Sequence, residues 1–128
     1  MFQGVAHICM VDDDPDSYYL FETALREIND SVRITYCDSC NSLVEFLKSS
    51  DDLPDIIVLD MKLPGNTNKC LYLIKEEERF RHVPVIVYPG ADTAAGIGKA
   101  KPKPSSIRVM KEFIKEKLAI PAISARNR

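Results

Sequence analysis

Two hydrophobic rhythms run along this chain. Short continuous apolar runs occur at His7–Val11 (His-Ile-Cys-Met-Val), at Ile56-Ile57-Val58-Leu59, and at Val83-Pro84-Val85-Ile86-Val87-Tyr88. Runs this short, bounded by turn formers, predict strands buried on both faces. Residues 32–37 (Val-Arg-Ile-Thr-Tyr-Cys) alternate apolar and polar and predict a further strand. Between these runs the apolar positions recur at helical spacing. Leu20, Phe21, Ala24, Leu25 and Ile28 predict a helix from Ser17 to about Asn29. Leu43, Val44, Phe46 and Leu47 predict a short helix ending before Ser49-Ser50-Asp51-Asp52, and Cys70, Leu71, Leu73, Ile74 and Glu77 to Phe80 predict a third. Ile107, Met110, Phe113, Ile114 and Leu118 line the last helix.

The punctuation agrees with this reading. Asp14 or Asp16 can cap the first helix, with Pro15 tolerated in its first turn. The segment 39–42 holds capping candidates for the second helix, and Ser105 or Ser106 for the last. Strand and helix alternate with short connections, which predicts βαβ units and a doubly wound parallel sheet, an α/β architecture with helices on both faces. With 128 residues and no repeat or linker, one domain is expected, ordered over about 5–120, followed by a basic tail at 121–128.

Composition excludes more than it selects. Hydrophobic residues at 45% and charged residues at 28% suit a globular domain. A net charge of −2 provides no bulk attraction for nucleic acid or an anionic membrane. No apolar run approaches the roughly 20 residues of a membrane span, and residues 1–10 lack the features of a signal peptide, so a cytoplasmic location is expected. Of the four cysteines, Cys9 and Cys70 fall at apolar positions and read as small core hydrophobes. Cys37 and Cys40 form a single CxxC that no second pair completes, and His7 and His82 stand apart. Reduced, structural thiols are therefore expected.

The chemistry lies at the ends of two buried strands. Asp60 closes the third strand, and Asp12-Asp13 close the first. In a doubly wound sheet these strands lie side by side at the switch point, so their carboxyl ends share one crevice. Clustered carboxylates repel unless a cation joins them, and a hard, oxygen-preferring ion such as Mg²⁺ fits such donors. That charge would also suit phosphoryl transfer to Asp60. Lys103, followed by Pro104, is placed to meet a phosphate at the same edge. The plainer alternatives are helix capping by Asp12, Asp13 and Asp14, and a solvated Lys103.

At this point the chain resembles a family. Val11-Asp12-Asp13-Asp14-Pro15-Asp16, Val58-Leu59-Asp60-Met61-Lys62-Leu63-Pro64-Gly65, Val83-Pro84-Val85-Ile86-Val87 and Lys103-Pro104-Ser105-Ser106, in this order, look like the receiver domain of two-component response regulators. The resemblance implies a flavodoxin-like strand order 2-1-3-4-5 and no enzymatic turnover. It implies a phosphoacceptor at Asp60, served by a histidine kinase or phosphotransfer protein, and output through contact with a downstream protein rather than an output domain. It also implies Mg²⁺ held by Asp13, Asp60 and the backbone carbonyl of Lys62, with Asp12 acting through water. Lys103 would pair with the phosphoryl oxygens.

Two departures stand out. The family's switch Ser or Thr falls at Pro89, which has no hydroxyl, although Gly90 beside it suits phosphate entry and Thr93 is the next hydroxyl onward. The switch aromatic falls at Ala100. Only 13 residues separate Pro89 from Lys103, and Pro102 cannot donate to a ladder. A shortened fourth helix and a weak fifth strand are therefore expected there.

Two other readings compete: a degenerate receiver acting as a phosphorylation-independent interaction module, and a haloacid-dehalogenase-like phosphatase suggested by Asp12 and Asp14. The second wants a Thr or Val where Asp16 stands, and a later acidic pair that is missing. Gly96-Ile97-Gly98 lacks the third glycine of a nucleotide loop, and the lysines at 99–103 lack a recognition helix for nucleic acid.

Overall fold

The computed structural model describes residues 5–61, 63, 67–88 and 106–118. Among them the order is β1 (His7–Val11), α1 (Pro15–Ile28), β2 (Arg33–Cys37), α2 (Cys40–Ser49), β3 (Ile56–Asp60), α3 (Thr67–Glu76), β4 (Val85–Tyr88) and α4 (Ile107–Lys117). The strands form one parallel sheet in the order β2-β1-β3-β4. Lys62, Pro64, Pro89, Gly90, Thr93, Ala100 and Lys103 lie outside the described residues, as do the shortened helix, the fifth strand and the basic tail expected from the sequence.

Successive side chains of a strand point to opposite faces, and the two central strands are apolar on both. Ile8 and Met10 of β1 join Ile56 and Val58 of β3 in a core completed by Phe21 and Leu25 of α1 and Met110 and Ile114 of α4. Cys9, Val11, Ile57 and Leu59 face the other way, against Leu43 and Leu47 of α2 and Cys70 and Ile74 of α3. That two-sided burial is why these strands read as continuous apolar runs.

Helix starts follow the expected chemistry. Asp14 caps α1 by accepting from the Asp16 N–H, with Pro15 in the first turn. Ser39 caps α2 through the Ser42 N–H, and Ser106 caps α4 through the Val109 N–H. The expected third helix is corrected at its C-terminal end. It begins at Thr67 and stops at Glu76, and 77–83 turn back instead. In that turn Arg79 donates to the carbonyls of Leu47, Lys48 and Ser50 at the end of α2. A side-chain cap from elsewhere in the chain thus satisfies carbonyls that a helix end leaves open.

The cysteines require a second correction. Cys40 and Cys70, expected as reduced thiols, form a disulfide between α2 and α3. Their Cα atoms are 5.8 Å apart across a sequence separation of 30. Helix packing rather than local spacing brings them together, so no CxxC arithmetic reveals the pair. Cys9 and Cys37 remain free and buried, their sulfurs 3.6 Å apart. That sulfur contact and burial push the Cys9 thiol well up, so it stays protonated.

Candidate functional site

The register of β1 and β3 pairs Val11 with Leu59, so the chain delivers Asp12 and Asp60 side by side where the two strands end. Both are buried, at 0% and 1% exposure, whereas Asp13 is exposed. One carboxylate oxygen from each of Asp12, Asp13 and Asp60 lies within 4.8 Å of the others. The structure thus brings together the three acids expected from the sequence.

Asp12 is held at three points. Its N–H donates to the Cys37 carbonyl at 3.0 Å, its own carbonyl accepts from the Tyr36 hydroxyl at 2.6 Å, and Oδ1 accepts from the Asp14 N–H at 2.9 Å. Tyr36 is stacked on Tyr18 of α1 with ring centroids 4.3 Å apart. Partial burial, followed by the carboxylates of Asp12, Asp38, Asp13 and Asp14, pushes the Tyr36 phenol above its ordinary range, which keeps the donor proton in place.

Asp60 is held differently. It is the last residue of β3 and pairs in register with Tyr88 of β4. Its backbone carbonyl accepts from the Thr67 hydroxyl at 2.8 Å, and Thr67 Oγ1 in turn accepts from the Leu63 N–H at 3.0 Å. Thr67 and Leu63 are both buried. Sequence reading missed Thr67 and Tyr36. A cap-type residue opening a helix is a visible signal for Thr67, but nothing along β2 marks Tyr36, whose partner is a carbonyl on another strand.

Like charges this close repel by a few kcal/mol even at an effective dielectric of about 20. All three donors are carboxylate oxygens: Asp12 Oδ1 accepts from a backbone N–H, the main chain at Asp60 is held by Thr67, and the exposed Asp13 leaves a side open to water. That donor set fits a hard divalent cation that keeps part of its hydration shell. No other cluster of three or more such groups occurs among the described residues. Nor does any described helix have the length and apolarity to cross a membrane.

No family model matches the chain, and no curated protein matches its sequence. Solved structures do. The chain is similar to the bacteriophytochrome response regulator RtBRR, with a TM-score of 0.71 and 20% identity over 96% of this chain and 83% of that one. It is similar to the Mn²⁺-bound form of response regulator Rcp1, with a TM-score of 0.70 and 16% identity over 94% and 99% of the two chains. It is also similar to the phosphorylated cyanobacterial phytochrome response regulator RcpA, with a TM-score of 0.69 and 18% identity over 86% and 91%. At these identities the likeness establishes the fold. It is the fold of response-regulator receiver domains.

Proposed function

We propose that this chain, which has the receiver fold of response regulators, is a phosphoacceptor of a two-component relay that takes a phosphoryl group on Asp60. The observation that carries the reading is the convergence of Asp12, Asp13 and Asp60 at the ends of adjacent central strands. The structural relatives support it, since one is described as Mn²⁺-bound and another as phosphorylated.

In the proposed step, a carboxylate oxygen of Asp60 attacks phosphorus. A new P–O bond forms, and the P–N bond of a phosphohistidine, or the P–O bond of acetyl phosphate, breaks. The leaving imidazole or acetate departs with the bonding pair, and the imidazole takes a proton from solvent. Asp13 and Asp60 would hold Mg²⁺ directly, with the Lys62 carbonyl, and Asp12 would hold it mainly through water. When bound, the ion would offset the charge that gathers on the transferring oxygens. Lys103 would pair with those oxygens. Asp12, pinned by Tyr36, Cys37 and Asp14, keeps its carboxylate from swinging away from Asp60. Upstream, the partner would be a histidine kinase or phosphotransfer protein, and downstream a protein read by contact.

The test is phosphorylation of the full chain by acetyl phosphate with Mg²⁺, read by intact mass spectrometry. One phosphoryl group should add to the wild-type chain and none to Asp60→Asn. Chelation of the metal should suppress the reaction by at least the tenfold expected for a lost electrostatic partner. Modification that survives Asp60→Asn overturns the reading. A chain that is never modified leaves the phosphorylation-independent module, which the loss of the hydroxyl at Pro89 favours.

A further inference from the structure

The Thr67 hydroxyl serves two backbone groups at once. It donates to the carbonyl of Asp60 and accepts from the N–H of Leu63, so one oxygen closes the chain where it leaves β3. Both groups sit in a buried setting, with Thr67 8% and Leu63 5% exposed. Backbone groups placed there need a partner, because water does not reach them freely. Thr67 is also the first residue of α3, and one turn later Cys70 ties that helix to Cys40 of α2. The hydroxyl therefore reaches Asp60 from a helix that is itself stapled down.

We propose that Thr67 is a positioning residue for cation binding at Asp12, Asp13 and Asp60. This inference rests on the reading of the site given above. Carboxylates that repel one another bind a cation tightly only if the backbone keeps them together before the ion arrives. Asp12 has three such restraints. Asp60 has the β3 ladder on its N-terminal side and Thr67 on its C-terminal side. Without the hydroxyl, the Asp60 carbonyl and the Leu63 N–H lose their common partner, and the turn relaxes under the repulsion of the acids. The cation must then restore the geometry as it binds. Loss of an outer hydrogen bond that orients a metal-binding group weakens affinity by about 10–100-fold.

The experiment compares Mn²⁺ binding, followed by electron paramagnetic resonance, in the full chain and in Thr67→Val and Thr67→Ser. Valine keeps the shape and removes the hydroxyl, whereas serine keeps the hydroxyl. Thr67→Val should bind Mn²⁺ about tenfold more weakly or worse, and Thr67→Ser should stay within about twofold of wild type. Ile28→Val, a buried change far from the acids that costs about 1 kcal/mol, should leave the affinity unchanged and so separates positioning from general destabilisation. Wild-type affinity in Thr67→Val overturns the proposal, as does equal weakening in the serine variant. If Thr67→Val does not fold, hydrogen exchange of the Leu63 amide in the wild-type chain decides. Slow exchange that slows further with Mg²⁺ supports the clamp, and fast exchange indifferent to Mg²⁺ overturns it. A wild-type chain that binds Mn²⁺ yet is never phosphorylated sinks the phosphoacceptor reading alone, because the Thr67 comparison is still read from the metal. A wild-type chain that binds no Mn²⁺ overturns both.

Discussion

The two ends of the parallel sheet use charge in opposite ways. At the amino end, unlike groups consume one another. The Asp55 carboxylate accepts from the N–H groups of Ala6 and His7 at 2.8 and 2.9 Å, and Arg33 pairs with Asp52. Arg33 also donates to Nδ1 of His7, which assigns the proton to Nε2, and Nε2 then donates to Thr35 at 2.7 Å. At the carboxyl end, three carboxylates face one another. At the amino end these acids meet described donors. The carboxyl end offers a donor set that suits a divalent cation, and backbone hydrogen bonds hold the chain at Asp12 and Asp60. The two clusters differ less in residue type than in arrangement: at one end the acids meet N–H donors and a guanidinium, and at the other three carboxylate oxygens converge.

The largest effect expected from disturbing this contrast comes from the staple behind the acidic end. Reduction of Cys40–Cys70 releases a constraint on a chain segment that contains β3, and should lower stability by about 3 kcal/mol. Urea unfolding with and without a dithiol reductant measures it. Alkylation under denaturing conditions should find two free thiols before reduction and four after, and an unchanged urea midpoint would show that the acidic end does not depend on the bond.

A smaller effect separates the two ends by their response to metal. Free Mg²⁺ at tenfold its dissociation constant should add about 1.4 kcal/mol to the wild-type chain. Asp13→Asn should raise metal-free stability by about 1 kcal/mol by removing one repelling charge, and should shrink the Mg²⁺ increment. Arg33→Ala, at the amino end, should leave that increment intact. If Mg²⁺ stabilises wild type and Asp13→Asn equally, the contrast between the ends fails.

The smallest effect is a pH dependence confined to the amino end. Burial first, and then the Arg33 guanidinium, hold the His7 imidazole below its ordinary pKa, while Asp52 and Asp55 oppose them weakly. A histidine depressed in the folded chain stays neutral there, while the unfolded chain takes up a proton at about pH 6.5. Its contribution is therefore present above that pH and is lost as pH falls through and below it. Urea midpoints followed downward from about pH 7 should fall more steeply for wild type than for His7→Gln. Equal slopes would mean that His7 is not held neutral.

Much of this molecule was legible in its one-dimensional pattern. Ile56-Ile57-Val58-Leu59 had to be a strand covered on both faces, and a carboxylate directly after it had to emerge at the sheet's carboxyl edge. Asp12, Asp13 and Asp60 converge because strand order and parallel register leave them nowhere else to go. Helix starts were readable to within a few candidates, Asp14 or Asp16, the segment 39–42, and Ser105 or Ser106, since a cap acts on the amides two or three residues onward; the structure uses Asp14, Ser39 and Ser106. What only the tertiary structure decided are pairings between segments far apart in sequence. Cys40 met Cys70, Tyr36 met the Asp12 carbonyl, and Arg79 met the end of α2. Even Thr67, seven residues from Asp60, needed the turn between them to fold before its hydroxyl had a partner. Periodicity and capping are local and leave a trace in the sequence. A hydrogen bond or disulfide across the fold leaves none until packing brings its two ends together.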